Sequence, residues 1–141
     1  MKILILSLLL NGYAFSKCLL SPDKEKVENS KIIFIGKIIR SSSNQSPEGH
    51  CKAIGATTLP LKYIIEPLEV LKGELGEKVL DLTYSYVCNM YPKSKTFTNG
   101  RKYIFSVGMK RKRKIYLRGL ACESWGWDIK ELEKVKKIIS K

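Results

Sequence analysis

The stretch Lys31-Ile32-Ile33-Phe34-Ile35-Gly36-Lys37-Ile38-Ile39-Arg40 sets the fold class, because its isoleucine and phenylalanine side chains suit the pleated surface of a core strand. Gly36 in its middle marks a bulge or bend. Working outward, the same signature recurs downstream. Leu61 to Leu71 reads as a second strand, in which Pro67 cannot donate to a ladder and so marks a bulge or an edge. The turn Lys72-Gly73-Glu74-Leu75-Gly76 reverses the chain, and Lys78 to Tyr86, with Val79, Leu82, Tyr84 and Tyr86, forms a third strand that ends at Cys88. After a loop from Pro92 to Gly100, Lys102 to Val107 and Lys114 to Leu120 form two more strands. They read as a hairpin whose tip carries Lys110-Arg111-Lys112-Arg113-Lys114.

The flanks are helical. Ser21-Pro22-Asp23 offers a hydroxyl cap, a proline for the first turn and an acid near the positive end of the dipole, predicting a short helix that stops near Asn29-Ser30. Ser41 to Thr58 is polar, holds Pro47, Gly49 and Gly55, shows no period, and reads as a long surface loop carrying Cys51. Past Trp125-Gly126-Trp127, Asp128 and Glu131 match a capping box. Ile129, Leu132, Val135 and Ile139 then fall on one face and lysines on the other, predicting an amphipathic C-terminal helix that packs on the domain. The expected fold is mainly β: a five-stranded barrel of the oligonucleotide/oligosaccharide-binding (OB) type with a short N-terminal and an amphipathic C-terminal helix. Closure would hide strand edges, and a two-sheet sandwich is the alternative, since strand count does not fix topology.

The N-terminus reads as a secretion signal. Met1-Lys2 is positive, Ile3 to Leu10 is apolar but shorter than the about 20 residues a span needs, and Ala14-Phe15-Ser16 places small residues at a cleavage site. Cleavage is expected after Ser16, giving a signal over 1–16, a single domain over 17–141 and a secreted, extracellular or periplasmic protein without a membrane anchor. A cut one residue later would instead free the α-amine of Cys18. Cys18, Cys51, Cys88 and Cys122 lie far apart with one histidine, His50, a spacing wrong for structural zinc. Behind a signal they read as two disulfides, with three pairings open.

The chain carries a formal charge of +13, which makes a polyanionic neighbour plausible on charge alone. Because 21 of the 26 basic residues are lysine, a generally lysine-rich composition explains the charge better than a phosphate-reading surface does. Enzyme chemistry is not expected: the sequence has one histidine, no nucleophile elbow and no phosphate-cradling glycine loop, and no cofactor is expected. His50-Cys51 are adjacent and do not converge as a base and nucleophile. Glu66 and Glu69, three apart on a strand, should face opposite ways.

Ser30-Lys31-Ile32-Ile33-Phe34-Ile35-Gly36-Lys37-Ile38, Tyr63 through Val70-Leu71-Lys72-Gly73, Cys88, Gly100-Arg101-Lys102-Tyr103-Ile104 and Cys122, following a cysteine just past the signal, resemble the netrin-like module. Within it, they are similar to the inhibitory domain of tissue inhibitors of metalloproteinases. The resemblance implies the same barrel, with Cys18 bridged to Cys88 and Cys51 to Cys122. It implies a protease contact in which an N-terminal Cys18 chelates the target's zinc, Leu19 fills the specificity pocket and Tyr86-Val87 support the contact. A Lys17 retained ahead of Cys18 would turn that amine into an amide, and the family's cysteine two residues on is replaced here by Leu20. The expected function is therefore a secreted, disulfide-stapled, non-catalytic module that binds a secreted or surface macromolecule. The alternatives are inhibition of a zinc metalloprotease through Cys18, or binding of a polyanion or single-stranded nucleic acid. The latter would use Lys110, Arg111, Lys112, Arg113 and Lys114 with exposed aromatics to stack on, but Tyr84, Tyr86, Tyr91 and Tyr103 each read rather as core or loop packing.

Overall fold

Strand β1 (Ile32–Ser41) is apolar along most of its length because both of its faces are covered. Ile33 and Ile35 join an outer cluster with Val27, Ile104, Trp127 and Val135, while Phe34 and Ile38 belong to the larger inner cluster. This is seen in a computed structural model that describes residues 22, 24–42, 46–89, 96–117 and 126–141. The expected signal over 1–16 lies outside the described residues, as do Cys18, Leu19, Tyr91 and Cys122.

Strand β2 (Thr58–Lys72) runs antiparallel to β1, and β3 (Leu80–Val87) antiparallel to β2. Strand β4 (Lys102–Arg111) turns through Lys112-Arg113 into β5 (Lys114–Leu117), the hairpin read from the sequence, and Lys112 takes the left-handed conformation the tight turn needs, at φ 53°. Strand β5 pairs parallel with β3, and β4 pairs antiparallel with β1, so the order β1-β2-β3-β5-β4 closes on itself. The OB-like barrel is the fold, and the sandwich is not. Register shifts between Ile33 and Phe34, Ile35 and Gly36, and Ile38 and Arg40 bend the long β1–β2 ribbon into the wall. Gly36 sits at one of them, opposite Pro67; a Cβ there would lie 2.5 Å from Ile65 Cγ2, so only glycine fits.

A sixth strand, β6 (Gly126–Asp128), was not expected from the sequence. It pairs with Tyr103–Phe105 of β4, on the edge that β5 takes over from Val107 onward. Both halves of that edge are thus covered.

Helix α1 (Lys24–Asn29) is the predicted short helix. Lys72 Nζ donates to the carbonyls of Val27 and Glu28 at 3.0 and 2.8 Å, placing a cation at the negative end of the helix. The buried hydroxyls of Ser30 and Ser106 meet at 2.6 Å, fastening the end of α1 to β4. The stretch between β1 and β2, expected to be loop throughout, contains α2 (Pro47–Ile54). Its signals are local: proline in the first turn, Glu48 near the positive end, and Gly55 in the left-handed conformation at φ 64° to stop it. Asp128 caps the C-terminal segment by accepting from the Lys130 N–H at 3.0 Å, and a 3-10 turn over Ile129–Glu131 leads into α3 (Leu132–Ile139). Val135 is buried, with Ile129, Leu132, Ile138 and Ile139 packed beside it against the outside of β1 and β4.

Cys51 of α2 is bonded to Cys88, just past β3, 37 residues away. The pairing implied by the resemblance, Cys18 with Cys88 and Cys51 with Cys122, is therefore corrected. The sheet register explains it: Thr58 opposes Val87, and Cys88 N–H donates to Thr57 O at 2.9 Å, so the residue after β3 arrives beside the helix that precedes β2.

Candidate functional site

Three of the four tyrosines read as core or loop packing rather than as stacking platforms do belong to the core. Tyr84, Tyr86 and Tyr103 are buried, as is Tyr63. Phe97 is the hub: its ring lies 5.4 Å from Tyr63, 6.0 Å from Tyr84, 5.0 Å from Tyr103 and 5.3 Å from Phe105, mostly edge to face. The hydroxyls are satisfied locally. Tyr63 Oη accepts from Phe97 N–H at 3.3 Å, and Tyr103 Oη accepts from Thr98 N–H at 2.9 Å. Burial raises the Tyr63 phenol above its ordinary value. The Tyr86 hydroxyl donates to Glu48 Oε1 at 2.7 Å. Burial first, then that bond and the carboxylate's charge, push the phenol up to about 12. These tyrosines pack in the barrel core, and Tyr86 ties α2 to it; they present no stacking surface.

The same geometry bears on the protease-contact residues. Tyr86 is turned inward and Val87 is half-buried within β3, opposite Thr58, so neither forms an exposed loop. Cys88 is held by Cys51.

The basic run at the hairpin divides in two. Lys110 Nζ meets Glu77 Oε1 at 2.8 Å, and Arg113 Nε meets Asp81 Oδ2 at 2.8 Å. The second pair sits where Asp81 N–H also donates to Arg113 O at 2.7 Å, at the parallel β3–β5 junction that closes the barrel. These two cations are engaged in the fold, while Arg111, Lys112 and Lys114 remain exposed. The Lys110 hydrogen bond holds the Glu77 carboxyl below its usual value.

Lys114 belongs to a larger arrangement. Arg40 opposes Ile64, Ile64 opposes Asp81, and Asp81 opposes Lys114, so four strands place these residues in one row across the outside of the barrel. Lys62, opposite Thr83, lies two residues along β2 on the same face. They line a groove of about 320 Å³ floored by Ile64 and Thr83 and flanked by Ser41 and Ser42. Among the described residues, none of Arg40, Lys62 and Lys114 has a carboxylate within ion-pair distance. Tyr116, two residues past Lys114, is half-buried and does not line the groove. Sequence reading found Lys114 but missed Arg40 and Lys62, because residues so far apart are joined only by sheet register.

Glu66 and Glu69 also depart from expectation. Ile35 opposes Glu69 and Gly36 opposes Pro67, so Leu68 is an extra residue that breaks the two-residue alternation, and both glutamates line one shallow hollow. Among the described residues no cluster of histidine, cysteine and acid side chains is suited to hold a metal ion. Among them, too, no helix is long and apolar enough to cross a membrane. No protein-family model and no curated protein matches the chain.

Proposed function

We propose that the protein is a secreted, non-catalytic binding module whose outer barrel face takes an anionic polymer. The observation that carries this reading is the groove lined by Arg40, Lys62 and Lys114, whose one lining carboxylate, Asp81, is already paired with Arg113. Barrels of this architecture use the face of strands 2 and 3 and the loop between strands 4 and 5 for extended polymers, and this groove spans both strands next to that hairpin. Fold analogy alone is a weak warrant; the charges are specific to this chain. With Tyr63, Tyr84 and Tyr103 committed to the interior, the groove offers no platform for stacked bases, so the ligand is held by its charge. The disulfide Cys51–Cys88 is compatible with secretion.

The test is binding of the purified protein to a fluorescent heparin oligosaccharide and to an oligothymidylate of equal charge, across a salt series. Affinity for heparin should fall by at least about tenfold between roughly 50 and 200 mM salt, as counterion release requires. The double charge reversal Lys62→Glu/Lys114→Glu should weaken binding by at least about tenfold at low salt, whereas Lys136→Glu on α3 should leave it unchanged. Salt-insensitive binding, or full binding by the double variant, rejects the reading; tighter binding of the oligothymidylate rejects recognition by charge alone.

A further inference from the structure

We propose that the outer edge of β2 over Glu66–Leu71 accepts an extended, basic segment of a partner protein as an added strand. Strand β2 is longer than either of its neighbours' ladders. It pairs with β3 from Thr58 to Ile65 and with β1 from Tyr63 to Lys72, so both of its sides are laddered only over Tyr63–Ile65. From Glu66 onward only β1 remains, and among the described residues no backbone hydrogen bond joins Glu66–Leu71 to any other segment. Strand β4 meets the same problem and solves it with β6; β2 has no such cover among the described residues.

What borders this edge is suited to a side chain. Leu68, Val70 and Val79 are 44%, 39% and 37% exposed, and together with Leu75 they line a hollow of about 480 Å³ beside the strand. Apolar surface grouped in this way marks an interaction site more often than scattered exposure does. Glu66, Glu69 and Glu77 line its rim with Lys78; Glu77 is paired with Lys110, which leaves Glu66 and Glu69 as the rim acids without an ion pair among the described residues. Glu77 Oε2 is buried without a hydrogen-bond partner among the described residues. In a chain of net charge +13, this local reversal of sign selects a basic partner.

The occupant follows from that sign. An added strand supplies the missing main-chain bonds and sets alternate side chains into the hollow and along its rim. A second copy pairing edge to edge about a two-fold axis would bring Glu66 and Glu69 against the same carboxylates, which is unfavourable. Pro67 and the extra residue Leu68 restrict unlimited sheet growth, leaving the pairing to a short segment. The site is on a different part of β2 from the cationic groove and stands independently of it.

A six-residue peptide alternating valine and lysine, its acidic counterpart alternating valine and glutamate, and a backbone N-methylated form of the first provide the test. Fluorescence anisotropy and amide hydrogen exchange would be measured on the purified protein. The basic peptide should bind saturably and newly protect amides between Leu68 and Leu71, and both other peptides should bind at least about tenfold more weakly. Glu66→Lys/Glu69→Lys, at exposed positions, should lose the basic peptide by at least about tenfold; should that variant fail to fold, the three peptides on the unaltered protein still decide. Equal binding of the N-methylated or the acidic peptide, protection elsewhere only, or a concentration-dependent dimer that protects the same amides overturns the proposal.

Discussion

Strand β2 carries two different surfaces along one continuous run of backbone. From Thr58 to Ile65 it alternates strictly: Leu59, Leu61, Tyr63 and Ile65 are buried, and Thr58, Pro60 and Lys62 are exposed. It is paired with β3 throughout and with β1 from Tyr63 onward, and its inner residues join the large core cluster that holds Cys51 and Cys88. From Glu66 to Lys72 the alternation fails, two register shifts intervene, one neighbour is lost, and Leu68 and Val70 stand exposed among acids. The first half is built by burial and its outer face is cationic; the second is built by pairing on one side and its surroundings are acidic. Inside–outside alternation thus survives on a single neighbour, as over Thr58–Leu61, and fails where extra residues enter β2 itself; there the exposed edge becomes available for recognition.

The strongest way to break this contrast is truncation at its two halves. Ile65→Ala removes a fully buried side chain and should cost about 2–5 kcal/mol, whereas Leu68→Ala should stay within about 0.5 kcal/mol. Urea unfolding of both variants measures this, and equal losses would mean the second half is as well packed as the first. Next in size is the staple. Replacing Cys51 and Cys88 together by alanine should cost about 2–4 kcal/mol, since the bond closes a long loop. Amide exchange should speed up at Thr58–Leu61, where Cys88 and α2 anchor the strand, and remain unchanged at Leu68–Leu71.

The smallest effects separate the halves by pH. Tyr86, opposite Leu59, has its phenol raised from the ordinary 10.0 to about 12, so its contribution is complete below pH 10 and lost as pH rises toward 12. Glu77, in the hollow beside the second half, has its carboxyl lowered from the ordinary 4.5, chiefly by the Lys110 hydrogen bond. Its contribution is complete above 4.5 and lost as pH falls through the depressed value. Unfolding midpoints against pH should therefore show a shallower alkaline limb in Tyr86→Phe and a shallower acid limb in Glu77→Gln. A variant that flattens the opposite limb would contradict the assignment.

Much of this was legible in local pattern. The run Ile32 to Ile38, the strand from Leu61 to Leu71, the hairpin around Lys112 and the apolar spacing from Ile129 to Ile139 each carry a local signal, and each became the expected element. Helix α2 was missed although Pro47, Glu48 and Gly55 mark its ends, because its apolar face amounts to little beyond Cys51. Strand β6 is three residues long, too short for any period, and exists through its pairing with β4. Tyr84, Tyr86 and Tyr103 pack in the interior as their reading favoured, but the partners that satisfy buried phenols, the Phe97 and Thr98 amides and the Glu48 carboxylate, come from distant or irregular segments that no period marks.

Composition and period alone were sufficient for the mainly β class, the barrel's five strands, its two flanking helices and its basic excess, because each depends on neighbours within a few residues. Tertiary structure decided the partner of Cys88, the engagement of Lys110 and Arg113 in ion pairs, the meeting of Arg40, Lys62 and Lys114, and the open edge over Glu66–Leu71. Each of these is a relation between residues distant in sequence, and only the register of β1, β2, β3 and β5, pinned by three one-residue shifts between β1 and β2, sets which of them stand side by side.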